Sequence, residues 1–174
     1  VHLNLQHYLW DGIKRDRIVW IGDIHPEVST VNAVFGYNAS VPRSLDLARD
    51  NTPLPEWMNG ISSYSLWWII THYDWYMNNG NLDYLKEQKY YLIPLIQQLI
   101  SSIDENGKEQ LGGWRFLDWP SSENPEAIQA GLQALMIWAL TSGKELCTAL
   151  KEYTLASQCE DALSKLRKYI PHTT

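Results

Sequence analysis

Acidic and basic side chains concentrate in residues 11–23, the stretch of this chain with the clearest capacity for chemistry. Asp11, Asp16 and Asp23 alternate there with three cations. Neither a helix face nor a strand would gather acids at this spacing, and Gly12 and Gly22 disfavour a continuous helix. We therefore predict an irregular loop, hereafter the acid loop (residues 11–23), at the mouth of a scaffold.

The apolar neighbours of these charges bear on whether the loop has a function. Charge clusters in turns are usually solvated, and this alternative remains open from the sequence. However, residues 18–21 (Ile-Val-Trp-Ile) lie among the charges, which indicates that the loop is partly buried. Partly buried charges must pair with one another or take part in chemistry. The acid loop is therefore the first candidate site.

Composition limits the classes of partner. The chain has 174 residues, enough for one domain with a full core, and is 45% hydrophobic and 20% charged, as in soluble globular proteins. A net charge of −6 without a basic run argues against nucleic acid and against an anionic membrane surface as partners. No apolar run approaches the roughly 20 residues that span a bilayer. The sequence is compatible with periplasmic, secreted or cytoplasmic location.

The aromatic residues are unusual in kind. Nine Trp and ten Tyr accompany only two Phe. Amphipathic aromatics combine an apolar body with a polar tip, which suits the walls of a groove that binds sugars. Most of these nineteen residues are nevertheless expected to fill a helical core.

The order of helices and loops predicts an all-α fold, and no segment has the alternation typical of a strand. Helices are expected at residues 1–10 (a short helix or the end of one), 24–35, 44–49 after a break at Pro42, 61–77, 81–104, 125–140 and 145–169. Short turns at residues 78–80 and 142–143 join helices at one end, and long loops at 11–23, 51–60 and 105–124 join them at the other. The absence of a sequence repeat argues against solenoids. We therefore predict helical hairpins, arranged as a toroid or a segment of one, with the long loops building a site.

The acid loop carries a motif in a specific order: Asp11, Arg15, Asp16, Arg17, Trp20, Gly22 and Asp23. With the helical hairpins, this motif resembles the catalytic domain of bacterial α-L-rhamnosidases, which are six-hairpin glycosidases. Asp16 stands where many members carry Glu. The tripeptide at residues 117–119 (Leu-Asp-Trp) is a weaker match to the family's Gly-Asp-Trp loop, because Leu117 replaces the glycine.

The resemblance implies a six-hairpin (α/α) toroid that hydrolyses terminal α-L-rhamnosyl residues with inversion and without a metal or cofactor. It assigns the general acid to Asp16, the binding of rhamnose hydroxyls to Asp11 and Asp23, and a wall of the sugar site to Trp20. Arg15 is expected to bind substrate with them. The substrate would be a rhamnose-containing oligosaccharide or glycoside.

Residues 105–124, hereafter the aromatic loop, supply a second candidate constellation. Trp114, Asp118 and Trp119 are expected to form a sugar subsite, since aromatic and carboxylate side chains on a loop suit that role. Arg115 lies among them. An aromatic plug that closes the hairpin is the alternative.

The chain contains about half of the helices of a complete ring, so residues 1–174 are expected to be a partial catalytic domain. Its exposed edge would then carry apolar surface that favours self-association. The family's catalytic base is a glutamate in a later hairpin, expected beyond residue 174. Within the chain the candidates that remain open are four loop acids, Glu56, Asp118, Glu123 and Glu126, and helix-surface acids such as Glu145 and Glu152. The alternatives are a non-catalytic carbohydrate-binding or interaction fragment and another six-hairpin enzyme, such as an unsaturated-uronide hydrolase.

Two further expectations concern charge and metals. Asp16 lies between Arg15 and Arg17, so its pKa should be low unless burial or the neighbouring acids raise it. The histidines lack the paired spacing of a metal site, although His25 could line the pocket; they are His2, His7, His25, His72 and His172. Cys147 and Cys159 are expected to be core thiols.

Overall fold

The computed structural model describes residues 1–171, and this part of the chain is all-helical, without strands, as predicted. The six helices are α1 (Ile24–Val34), α2 (Ser40–Asp50), α3 (Ser62–Asn79), α4 (Leu82–Ser101), α5 (Pro125–Ala149) and α6 (Tyr153–Leu166). A single 3₁₀ turn, Met58–Gly60, precedes α3. No helix within residues 1–171 is both long and apolar enough to cross a membrane.

Each helix packs against at least one neighbour that does not follow it directly in the chain. Helix α3 packs against α1 and α5, and α4 packs against α6. Hydrogen bonds connect α2 to α4, from Tyr84 Oη to Asp46 Oδ1 (3.1 Å) and from Arg49 Nη1 to Gln88 Oε1 (2.7 Å). Helix α5 also packs against α6 and α4, so it contacts both sets of helices.

Local capping explains the turn between α3 and α4. Gly80 ends α3 in the left-handed conformation (φ 65°), and its N–H donates to Tyr76 O. Asn81 then caps α4, because its side-chain oxygen accepts from Tyr84 N at 3.0 Å. The predicted tight turn at residues 78–80 and the start of the following helix are both confirmed.

The predicted turn at residues 142–143 is wrong, because α5 continues through it to Ala149. Gly143 is buried where α5 passes α4, and a Cβ at this position would lie 3.0 Å from Ile96 Cδ1. This glycine therefore permits close helix packing rather than ending a helix. The chain turns at residues 150–152 instead, where Lys151 has a positive φ of 62°.

The predicted helix at residues 1–10 is also wrong, since these residues form turns and isolated bridges. Their polar groups bond to distant elements: Asn4 Nδ2 donates to Glu27, and Leu9 N donates to Ser44 Oγ at 2.7 Å. Leu9 is buried, so the segment is held by tertiary packing. The break expected at Pro42 is absent, because Pro42 lies in the first turn of α2, where a missing N–H costs no helical bond.

The aromatic residues divide between the core and the surface. Trp68 and Trp75 of α3 are buried, whereas Trp114 and Trp119 of the aromatic loop are exposed. Cys147 and Cys159 are buried free thiols in α5 and α6, as predicted. The core therefore accounts for only part of the aromatic content.

Candidate functional site

A pocket of about 480 Å³ lies where the acid loop meets the aromatic loop. The acid-loop residues predicted for the site all line it: Asp11, Arg15, Asp16, Trp20 and Asp23. So do the predicted residues of the aromatic loop: Trp114, Asp118 and Trp119. Two loops about 100 positions apart thus bring every predicted site residue to one concavity. A second cavity of about 470 Å³, between α4 and α6, contains none of them.

The acid loop is irregular, as predicted, and tightly turned. Gly12 adopts a positive φ of 56°, and its carbonyl accepts from Arg15 N and Asp16 N at 2.6 and 3.0 Å. Further along, Ile21 is buried, and its N–H donates to Asn59 Oδ1 at 3.2 Å. The loop is thus attached to the core on one side and presents its carboxylates on the other.

Asp16 is an ion-paired carboxylate at the pocket wall. Arg15 Nε lies 2.9 Å from Asp16 Oδ1, and Trp20 Nε1 lies 3.4 Å from Asp16 Oδ2. The hydrogen-bonded pair with Arg15 lowers the pKa of Asp16 below its ordinary value. The Arg15 side chain is 78% exposed, so it can move without disturbing the core. Asp16 is therefore ionised at neutral pH while this pair is intact.

The environment of Asp23 shifts its pKa in the direction opposite to that of Asp16. It lies at the start of α1, and Tyr64 Oη of α3 donates to its Oδ2 at 2.6 Å. Burial by the pocket walls raises the pKa of Asp23, against the lowering effect of the Tyr64 hydrogen bond, and the charge of Asp11 raises it further. The residue remains accessible to solvent through the pocket mouth, and the walls displace only part of its hydration. The pocket therefore holds two carboxyl groups with pKa values shifted in opposite directions.

Tyr64 was not predicted from the sequence, and Gly22 is the feature that positions it. A Cβ at position 22 would lie 2.3 Å from the Tyr64 ring, so only glycine allows the ring to approach. The Trp20 ring lies edge-to-face with the Tyr64 ring, with 6.4 Å between the ring centroids. Gly22 therefore serves close packing, and the phenol reaches Asp23 because of it.

The aromatic loop is attached to the start of α3. Ser62 N donates to Trp114 O at 3.2 Å, and Ser63 Oγ donates to Phe116 O at 2.6 Å. Phe116 is buried and lies 5.0 Å, ring to ring, from both Trp114 and Trp119. The buried Phe116 ring thus packs against the two exposed indoles, and all three rings line the pocket.

Glu109 holds the base of this loop. It is buried, and its carboxylate accepts from Leu111 N (2.9 Å), Gln129 Nε2 (2.8 Å) and both terminal nitrogens of Arg115 (2.6 and 3.0 Å). Arg115 therefore points away from the pocket, unlike its neighbours in sequence. Gln133, one helical turn after Gln129 on a largely apolar α5, accepts from Glu109 N at 2.9 Å. These two polar positions are the sequence signal that could have revealed this network.

Of the four loop acids left open as base, only Asp118 lines the pocket. Its Oδ1 accepts from Ser121 N at 2.8 Å and from Ser121 Oγ at 2.6 Å. These hydrogen bonds lower the pKa of Asp118, so it is ionised at neutral pH. Glu126 lies in the first turn of α5, and Glu56 is exposed on another loop.

The histidines have separate environments. His25 does not line the pocket but pairs with Asp74 (Nε2 to Oδ2, 2.7 Å). His72 is enclosed by aromatic rings, and burial lowers its pKa to about 3, so it is neutral. Within residues 1–171 no group of three or more His, Cys, Asp or Glu side chains could hold a metal ion. His172 lies outside the described residues.

Comparisons with protein-family models and with curated proteins found no match to this chain.

Proposed function

We propose that this chain is an α-L-rhamnosidase-like glycoside hydrolase domain whose pocket binds a terminal sugar ring. The observation that carries the proposal is the convergence of all eight predicted site residues on one pocket of about 480 Å³. The pocket combines carboxylates, which accept hydrogen bonds from hydroxyl groups, with indole surfaces, which suit the C–H faces of a pyranose. The proposed overall fold is about half of a six-hairpin toroid, and the six mutually packed helices are compatible with it.

The opposite pKa shifts of two carboxyls support acid–base chemistry. Glycoside hydrolysis requires one protonated and one ionised carboxyl group at the scissile bond. Groups whose environments separate their pKa values are the natural candidates for those roles. The resemblance assigns the proton to Asp16, whereas the opposite pKa shifts make Asp23 the weaker acid of the two while the Arg15 pair is intact.

We therefore propose Asp23 as the general acid and Tyr64 as the residue that positions it. Asp118, ionised in the aromatic loop that forms the other side of the pocket, is the candidate within this chain for the group that activates water. In this scheme Asp23 gives its proton to the glycosidic oxygen as the C–O bond breaks. Asp118 accepts a proton from the water that attacks the anomeric carbon. The assignment of Asp16 as the acid remains the competing prediction.

The dependence of the hydrolysis rate on the leaving group shows which of the two carboxyls, Asp23 or Asp16, is the general acid. Hydrolysis of phenyl α-L-rhamnoside needs protonation of its leaving group, whereas 2,4-dinitrophenyl α-L-rhamnoside departs with little help. The variant that lacks the general acid should lose about 10²- to 10⁴-fold on the phenyl substrate and much less on the dinitrophenyl substrate.

The variants to compare are Asp23→Asn and Asp16→Asn, with Glu105→Gln as a control for an exposed acid outside the pocket. A selective loss for Asp16→Asn would return the donor role to Asp16. No turnover of either substrate by the unmodified chain would refute the hydrolase proposal for this chain.

The second candidate function is carbohydrate binding without hydrolysis. The observation that favours it is the Arg15–Asp16 pair, which keeps the carboxylate at the expected acid position ionised. Binding of L-rhamnose without turnover of the dinitrophenyl substrate would support it.

A further inference from the structure

Four side chains on three helices form a cluster beside the pocket. This cluster, hereafter the indole cluster, consists of His25 of α1, Trp67 and Asp74 of α3, and Trp138 of α5. The rings of Trp67 and Trp138 lie 5.4 Å apart, and the His25 ring lies 5.0 Å from Trp67 and 5.6 Å from Trp138. His25 Nε2 is 2.7 Å from Asp74 Oδ2. The cluster thus places a polar pair next to two indoles.

The indole cluster is continuous with the pocket. Trp67 lines the pocket and also belongs to the cluster. Asp23, a pocket residue, precedes His25 by two positions at the start of α1. A molecule that leaves the pocket along the Trp67 wall therefore meets the cluster next.

Trp138 has the exposure expected of a binding surface. It is 45% exposed and lies on α5, which packs against α3, α4 and α6. Its contacts with Trp67 and His25 are both edge-to-face, at interplanar angles of 73° and 87°. Within residues 1–171 no ring stacks parallel to it, so indole surface remains open to a flat ligand.

We propose that the indole cluster binds the second ring of a glycan whose terminal ring occupies the pocket. This inference rests on the proposed function, because it takes the pocket to be a sugar site. A pyranose has a C–H face that packs on an indole and a rim of hydroxyl groups. Trp138 contacts the face, while His25 and Asp74, both partly exposed, supply hydrogen-bonding atoms at the rim. The substrate class is therefore an oligosaccharide of at least two rings.

The test compares a monosaccharide with a disaccharide on the intact 174-residue chain. Dissociation constants for L-rhamnose and for α-L-rhamnosyl-(1→2)-L-rhamnose are measured by NMR titration. Trp138→Ala should weaken disaccharide binding about three- to tenfold, the size of one aromatic stacking contact, and leave L-rhamnose binding unchanged. The control is Tyr90→Ala, which removes a more exposed aromatic side chain on α4, outside the pocket and the cluster.

The two proposals fail in different ways. If L-rhamnose binds, but the disaccharide binds no better and Trp138→Ala changes nothing, the indole cluster is not a subsite and the pocket assignment stands. If neither sugar binds the unmodified chain, both proposals are overturned. Equal weakening of the disaccharide by Trp138→Ala and Tyr90→Ala would also refute the cluster, because it would be a general effect of losing a surface aromatic.

Discussion

Replacing Glu109 with glutamine removes a charge from the interior while preserving the shape of the side chain. The native carboxylate receives four hydrogen bonds, two on each oxygen, from Leu111 N, Gln129 Nε2 and the Arg115 guanidinium. Glutamine would turn one of these acceptors into an NH₂ group facing two donors. The guanidinium would lose its counter-charge at the same time.

The expected cost follows from this geometry. Breaking a buried ion pair by removing one partner costs about 3–5 kcal/mol. Arg115 is 31% exposed and can recover some hydration, so the lower end, about 3 kcal/mol, applies. For a chain of this length that loss corresponds to a decrease of about 6–12 °C in Tm. Urea denaturation, followed by circular dichroism, measures the change in the free energy of unfolding.

A second measurement shows where the loosening occurs. Glu109 fixes the base of the loop that carries Trp114 and Trp119, so acrylamide should quench tryptophan fluorescence more strongly in Glu109→Gln under native conditions. Glu105→Gln, an exposed acid in the same loop, is the matched control and should change neither quantity. A loss below about 1 kcal/mol, or one equal to that of the control, would refute the buried-pair argument.

Three further predictions concern the pocket and the fold. Gly22→Ala should lower the free energy of unfolding by about 1–3 kcal/mol, since its Cβ would overlap the Tyr64 ring; unchanged stability in urea would contradict the close approach. The pKa of Asp23 is raised in the folded state, so the folded state binds this proton more tightly than the unfolded state does. The stability that the group contributes is therefore present at low pH and falls as pH rises through that pKa. Asp23→Asn should therefore be more stable than the unmodified chain at pH 7, with the gain shrinking toward pH 3.5 in parallel urea titrations; a gain that does not depend on pH would exclude this cause. Asn124→Ala removes the oxygen that accepts from the first N–H groups of α5 at 3.1 Å and should cost about 1 kcal/mol by thermal unfolding, whereas Ser122→Ala, outside the cap, should cost less.

Local signals in the sequence were sufficient to predict the fold where a single residue determines the backbone conformation. Gly80 and Asn81 marked the turn between α3 and α4 because a left-handed cap and an N-cap side chain each act within a few residues. The glycines of the acid loop likewise predicted its irregular path. All eight residues that the sequence singled out line one pocket, and their roles stay predictions.

Tertiary contacts were decisive where the sequence misled. Gly143 resembles a turn signal, but its lack of a side chain serves the contact with Ile96 of α4, which no local rule can anticipate. Residues 1–10 have helical composition, yet the N–H of Leu9 donates to Ser44 Oγ of α2 instead of to a helical carbonyl. Tyr64 and Glu109 were missed for the same reason, because each acts on the site through a partner that only folding brings near.

The contact between Gly22 and Tyr64 links two positions that are 42 residues apart. Neither can change alone: a side chain at 22 displaces the ring, and a smaller residue at 64 leaves Asp23 without its donor and opens a void above the glycine. Across related sequences these two sites should therefore exchange together, as correlated substitutions. A search pattern built on the acid loop becomes more selective when it also requires an aromatic hydroxyl at position 64.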